Sequence, residues 1–187
     1  FAFAGEMTLS SGDAVLGEIE AQARDVIRSG TTPLFLGGDH AVTFPLVKAI
    51  AAEYGPVDVL HFDAHPDLYD QLDGDRYSHA CPFARLWEEG AITRHVAVGV
   101  RTVNPHQKAQ AEKFGSEILE MRRFPWPRPL RFERPVYLSL DLDVLDPAFA
   151  PGVSHHEPGG MTTRDLIAII QNLDADLIGA DLVELNP

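Results

Sequence analysis

The sequence predicts an α/β protein built on a mainly parallel sheet covered on both faces. Three observations lead there. Apolar periodicity switches repeatedly between helical stripes and short strand-length runs. The two kinds alternate along the chain, the pattern of β-α-β units. Two long polar or Pro/Gly-rich loops, Asp63 to Cys81 and Asp143 to Met161, both begin at the end of a predicted strand. Loops of that length in a compact domain are usually functional.

From Asp13 to Ser29, Val15, Leu16, Ile19, Ala23, Val26 and Ile27 form a helical stripe that Gly30 ends. Pro33 to Leu36 runs into Gly37-Gly38 and reads as a buried strand. Val42 to Tyr54 reads as a helix stopped by Gly55, and Val57 to Phe62 as a strand. Pro82 to Glu89 is helical up to Gly90, His95 to Val100 is a strand, and Asn104 caps a helix reaching Phe114. Arg122 to Pro135, with four prolines among arginines, reads as a rigid extended linker. Val136 to Leu142 is a strand, Thr162 to Asn172 a helix, and Asp176 to Val183 the last strand.

Composition narrows the function. The chain has 187 residues, 45% hydrophobic and 23% charged, which suits one domain with a sizeable core. A net charge of -13 argues against nucleic acid or an anionic membrane as partner and is compatible with a cationic substrate. Cys81 is the only cysteine, so an internal disulfide and a thiolate metal site are excluded. No apolar run approaches the roughly 18 residues of a membrane span. No signal-peptide pattern opens the chain, so a cytoplasmic protein is expected. The chain starts at Phe1 and stops abruptly at Pro187, so a fragment of a longer protein is expected.

Three segments carry the chemistry: Gly37-Gly38-Asp39-His40, Asp63-Ala64-His65-Pro66-Asp67, and Asp141-Leu142-Asp143. Each follows a predicted strand, and ligands of open α/β sheets bind beyond the carboxyl ends of the strands. In an extended chain, alternate residues share a face, so Asp63 with His65, and Asp141 with Asp143, can each aim at one centre. Mutual repulsion among four carboxylates needs a cation to offset it. Four carboxylates and two neutral imidazoles balance two divalent ions. Mixed O and N donors without thiolate point to manganese, with Fe, Co and Zn also compatible and Ca and Mg less so. Two such ions roughly 3.5–4 Å apart supply a nucleophile usable near neutral pH. Gly37-Gly38 is not a phosphate loop, because no Lys-Ser/Thr follows.

The segments GGDH, DAHPD and SLDLDVLDPAFAPG resemble the metal-binding signatures of the ureohydrolases, the arginase and agmatinase family. The likeness continues through RYSHACPFAR and SHHEPGG to GADLVELNP, covers the chain from about Pro33 onward, and is nearest to plant-type arginases and related bacterial proteins. It implies a three-layer α/β/α fold of arginase type and two Mn2+ per chain. His40, Asp63, Asp67 and Asp141 would hold one ion, and Asp63, His65, Asp141 and Asp143 the other. His79 matches the family's proton-shuttle histidine, and Glu184 the glutamate that pairs with a guanidinium. The implied reaction is hydrolysis of a small guanidino substrate to urea and an amine, first arginine to ornithine. Agmatine or another guanidino or formimidoyl compound is the alternative. A homo-oligomer, trimer or hexamer, is also implied, and an organellar location if the source is a plant.

Read without the family, His79 is a surface loop histidine and Glu184 a helix or turn residue. His155 and His156 are substrate-binding candidates or plain loop residues, and Arg76 joins them as a candidate for a substrate carboxylate. Asp39 reads as a structural acceptor, His61 as packing, and Cys81 as a small buried residue. Two rivals stand beside the hydrolase. A single-zinc deacetylase would need fewer ligands than are present. A noncatalytic metal-binding subunit is disfavoured by His79 and Glu184.

Overall fold

The computed structural model describes residues 2–12, 14–126 and 130–186. Among these, six strands form one sheet: β1 (Leu34–Leu36), β2 (Val57–Phe62), β3 (Ile92–Val100), β4 (Glu117–Glu120), β5 (Val136–Asp141) and β6 (Leu177–Val183). Their order is β1-β6-β5-β2-β3-β4 and every pairing is parallel. The helices are α1 (Val15–Arg28), α2 (Thr43–Tyr54), α3 (Pro82–Glu88), α4 (Pro105–Phe114) and α5 (Thr163–Gln171). From β2 the chain steps outward through β3 to β4, then returns to β5 on the other side of β2 and steps away through β6. The crevice at such a reversal is where ligands of open sheets bind.

Strand parity divides the core into two layers. Val57, Val59 and Tyr137 face α1, α2 and α3, packing with Ile19, Ala23, Val47, Ile50, Phe83 and Leu86. Leu60, Phe62, Val136 and Leu138 face the other way, onto Val144, Met161 and α5 through Leu166. The sheet is thus the middle of three layers. Capping follows local chemistry: Asn104 with Gln107, and Thr162 with Asp165, form reciprocal capping boxes. The glycines that end α2 and α4, Gly55 and Gly115, take positive φ, as do Gly30 and Gly90 just beyond α1 and α3.

Four expectations need correction. β1 lies at the sheet edge, and only Phe35 is buried; Leu34 and Leu36 are 58% and 76% exposed. β3 starts at Ile92, earlier than expected, because Ile92 pairs with Val57 at the start of β2. β4 was not expected; its two apolar residues, Ile118 and Leu119, are too few to announce a strand. The proline-rich stretch is more than a linker, since Trp126, Leu130 and Phe132 pack onto the second core layer. Its residues 127–129 lie outside the described residues, as does the expected helix start at Asp13.

Gly99 serves both sheet and site. It sits at a register shift between β3 and β4 with φ +97°, and a Cβ there would lie 2.5 Å from Val144 Cγ2 and 3.2 Å from the Asp63 carbonyl oxygen. Gly99→Ala is therefore expected to destabilise the chain by ~1–3 kcal/mol through strain and overpacking. Thermal unfolding checks this, and an unchanged midpoint would refute it.

Candidate functional site

The ends of β1, β2, β5 and β6 deliver the polar residues to one edge of the sheet. After β1, Asp39 caps a single 3-10 turn over His40–Val42 by accepting from the Ala41 N–H, which leaves His40 fully buried and pointing inward. Asp39 is thus a structural acceptor. After β2, the Asp63 carboxylate accepts the His65 N–H at 2.6 Å and so folds His65 back beside it. After β5, Asp141 accepts the Asp143 N–H at 2.7 Å and opens a 3-10 turn over Leu142–Val144. The pairs Asp63/His65 and Asp141/Asp143 therefore converge, but through side-chain-capped turns; alternation along an extended strand is not the cause.

The resulting cluster is buried and tight. His40 Nδ1 lies 3.0 Å from Asp67 Oδ2, 3.2 Å from Asp63 Oδ2 and 3.4 Å from Asp141 Oδ2. His65 Nδ1 lies 3.1 Å from both Asp63 Oδ1 and Asp143 Oδ2. Asp143 is steadied through Oδ1 by the Ala64 N–H at 3.0 Å. Asp67 reaches the cluster with φ +44°, an uncommon left-handed conformation for a residue with a side chain.

Hydrogen-bond polarity tests whether a cation fits. Thr43 and Tyr137 donate to Asp181 Oδ2, and the one proton of Ser139 goes to Asp181 Oδ1 at 2.7 Å. Ser139 must therefore accept from His40 Nε2–H at 3.0 Å. In neutral His40 that leaves the Nδ1 lone pair aimed at three carboxylate oxygens, and this buried nitrogen has no hydrogen-bond partner among the described residues. Only a cation reconciles these groups: a proton on the ring, or a metal ion between the donors. Asp63, His65 and Asp143 offer a second set of converging donor atoms, and His40, His61 and Asp63 do likewise.

Without metal, protons do this work. Burial opposes charge on His40, yet the Asp141, Asp63 and Asp67 carboxylates hold its imidazolium well above the usual histidine range. Burial likewise opposes His65, but Asp143 and Asp63 push it up to about 11. Burial and then Asp63 raise Asp141 and Asp143. Asp63 goes the other way, held well below the carboxylate range by the histidines around it despite its burial.

The remaining candidates ring this cluster. Glu184, just past β6 with φ +62°, accepts the His40 N–H through Oε1 at 2.8 Å, and its own N–H donates to the Gly38 carbonyl. Burial raises its carboxyl, with the His40 N–H and the charges of His40 and His79 opposing. The His155 ring lies 5.4 Å from that of His65 and 6.2 Å from that of His79. His156 is not brought in; it is exposed and its Nε2 meets the Pro151 carbonyl. Arg76 is also engaged elsewhere, paired with Asp70 and Glu88 at 3.0 and 2.8 Å, which corrects its candidacy for a substrate carboxylate.

Sequence reasoning missed three contributors. His61 is not mere packing: its Nε2 lies 2.7 Å from Asp63 Oδ2. Arg101 reaches across to the carbonyls of Asp143 at 2.6 Å and Glu157 at 2.8 Å, binding the Asp143–Met161 loop to the end of β3. Asp181 anchors Ser139 beneath His40. The available signal was parity, since His61 and Ser139 precede Asp63 and Asp141 by two residues.

Comparison with known proteins adds a frame. The sequence model described as the Arginase family matches residues 1–187. "Arginase 1, mitochondrial" of Arabidopsis thaliana is 50% identical over 163 residues, covering 83% of this chain and 48% of that protein. "Guanidinopropionase" of Pseudomonas aeruginosa is 40% identical over 187 residues, covering 92% and 58%. The solved structure "Arginase from Medicago truncatula" superposes with a TM-score of 0.89 at 44% identity, covering 95% of this chain and 59% of that one. The chain spans about half the length of the plant arginases it matches.

The raised histidines give a pH signature. A group whose folded pKa exceeds its unfolded value stabilises the fold below the latter and loses that contribution as pH rises through the former. For His65 the window runs from ~6.5, the ordinary histidine value, to about 11. The metal-free chain is therefore expected to lose stability as pH climbs through that window, and manganese, by replacing the protons, to flatten the loss. Denaturant unfolding across the range, with and without manganese, checks this; identical slopes would contradict it.

Proposed function

Because this chain belongs to the arginase family, we propose that it is a metal-dependent amidinohydrolase that releases urea from a guanidino compound, arginine before others. The observation that carries the reading is the His40 Nδ1 lone pair, buried without a hydrogen-bond partner and facing the carboxylates of Asp63, Asp67 and Asp141. We assign His40, Asp63, Asp67 and Asp141 to one Mn2+, and Asp63, His65, Asp141 and Asp143 to a second. The donor set of carboxylate oxygens and imidazole nitrogens without sulfur suits that ion. When bound, the two ions supply a water molecule activated near neutral pH.

The chain's own residues supply the rest. Glu184 binds the guanidinium: a carboxylate accepts parallel N–H bonds from that planar fork, and the His40 N–H on Oε1 holds it in place. Binding the cation favours the ionised carboxylate, offsetting the rise that burial imposes. His79 carries the proton to the departing amine nitrogen. It sits among loop groups that leave its ring free to do so, its nearest side-chain hydrogen-bond partner being Ser78 Oγ at 3.5 Å. His155, its ring edge-on to His65 and tilted against His79, is assigned to the outer part of the substrate. Arginine is preferred because plant arginases predominate among the most similar relatives. The resemblance to "Guanidinopropionase" keeps a shorter guanidino acid as the alternative. A homo-oligomer is proposed on the same family likeness. A cytoplasmic or organellar location is proposed, the Arabidopsis relative being named mitochondrial.

Urea release from arginine, agmatine and 3-guanidinopropionate, measured with manganese on the full-length protein, tests the substrate. Arginine should show the highest kcat/KM; a clear preference for another compound overturns the arginine assignment. Manganese uptake without urea from any of them would mark a noncatalytic subunit. His79→Asn should retain manganese while kcat falls by roughly 10²–10⁴. Joint loss of metal and activity would make His79 a ligand.

A further inference from the structure

A second polar layer runs from beneath the cluster, through two fully buried histidines, to the half-buried Ser116 and Trp87. His61 and His95 have no exposed surface, and both rings face the same aromatic plane: Phe83 lies 4.1 Å from His61 and 4.4 Å from His95, centroid to centroid. The contacts run in series. Trp87 Nε1 lies 2.9 Å from Ser116 Oγ, Ser116 Oγ 3.2 Å from His95 Nδ1, His95 Nε2 3.3 Å from His61 Nδ1, and His61 Nε2 2.7 Å from Asp63 Oδ2.

The two ends of this series are chemically unambiguous. The Trp87 indole nitrogen can only donate, and an ionised Asp63 can only accept. From Asp63 inward, a 2.7 Å contact requires a proton on His61 Nε2. If His61 carries only that proton, its Nδ1 accepts, and His95 must donate from Nε2. His95 then accepts at Nδ1, so Ser116 must donate to it. Ser116 has spent its proton and takes the Trp87 N–H on a lone pair. With both rings neutral, every link is satisfied in one direction, and reversing any one link sets two lone pairs or two protons against each other.

We infer that His61 and His95 are positioning residues, held as Nε2–H tautomers in a one-way hydrogen-bond chain that fixes the orientation of the Asp63 carboxylate. Asp63 is the group assigned above to both ions, and the inference rests on that assignment for its consequence. Asp63 Oδ1 already takes the His65 N–H at 2.6 Å, and the chain gives Oδ2 its own donor. Each oxygen thus gives one lone pair to a protein donor and keeps one for a cation. Burial, the largest cause, holds His95 well below the usual histidine range, in keeping with a neutral link. Groups that orient a metal's ligands are typically worth 10–100-fold in metal affinity.

Two measurements test this. In the metal-free wild-type chain, nitrogen-15 NMR of the imidazoles should find protons on Nε2 and not Nδ1 of both His61 and His95. An Nδ1 proton on either ring overturns the chain, whether or not the protein binds metal. Second, manganese binding to the apoprotein should weaken by about 10–100-fold in His61→Leu, which keeps bulk but no donor. His95→Leu should cost less, and His61→Gln, whose amide N–H can take the Nε2 position, should recover most of the loss. Equal damage from His61→Gln and His61→Leu, or none from His61→Leu, overturns the positioning role. A wild-type chain that takes up no manganese would instead sink the metal-site reading, with the tautomers still deciding the hydrogen-bond chain.

Discussion

Everything at the working edge of this sheet answers to the repulsion among Asp63, Asp67, Asp141 and Asp143. Asp63, Asp67, Asp141 and Asp143 are 0–6% exposed, so water cannot screen them from one another. Burying ionised carboxylates without compensation costs many kcal/mol. The fold meets that cost with cations: imidazolium at His40 and His65 when no metal is present, divalent ions on our reading when metal is. The same geometry thus accounts for histidine pKa values that rise despite burial and for a nitrogen with no hydrogen-bond partner.

Holding such a cluster together demands backbone that would not form unaided. Asp67 and Glu184 both take left-handed φ, and both belong to the candidate site. Residues in sparsely populated backbone regions persist when their surroundings over-determine them. Here the surroundings are identifiable. Glu184 is pinned by its own N–H on Gly38 and by the His40 N–H on its carboxylate. The loop after Asp143 is fastened by Arg101, whose guanidinium meets five carbonyl groups. Gly160 lets that loop approach, since a Cβ there would lie 2.8 Å from Arg101 Nη2.

How much of this could be read from sequence depends on whether the signal was local. The alternation of strands and helices was legible because each apolar run is long enough to show its period. β4 was not, because Glu117-Ile118-Leu119-Glu120 shows only two apolar residues. The position of each metal-ligand candidate was legible from an acidic or imidazole group directly after a strand. How Asp143 turns toward Asp141 was not, because a capped 3-10 turn and an extended strand give the same two-residue spacing. Arg76 looked free because its partners Asp70 and Glu88 are set by tertiary packing. Arg101 was missed for a similar reason: its acceptors are backbone carbonyls, which leave no mark on a sequence.

His61 teaches the most about reading strands of this kind. Parity places the residue two before a strand-end carboxylate directly beneath it, on the same face of the sheet. Ser139 stands in that relation to Asp141, and His61 to Asp63. An apolar residue in either place would leave His40 Nε2 or Asp63 Oδ2 without its protein partner in a region closed to water. A polar residue there is tolerated only if its own second group is satisfied. Ser139 meets that condition through Asp181, and His61 through His95, Ser116 and Trp87. The polar layer therefore has to continue until it ends on a group with nothing left to satisfy. Asp181, which takes three donors, is one such terminus, and the indole N–H of Trp87 is the other. The extent of the polar layer follows from the carboxylates and imidazoles above it, and its position from the two-residue period of the strands.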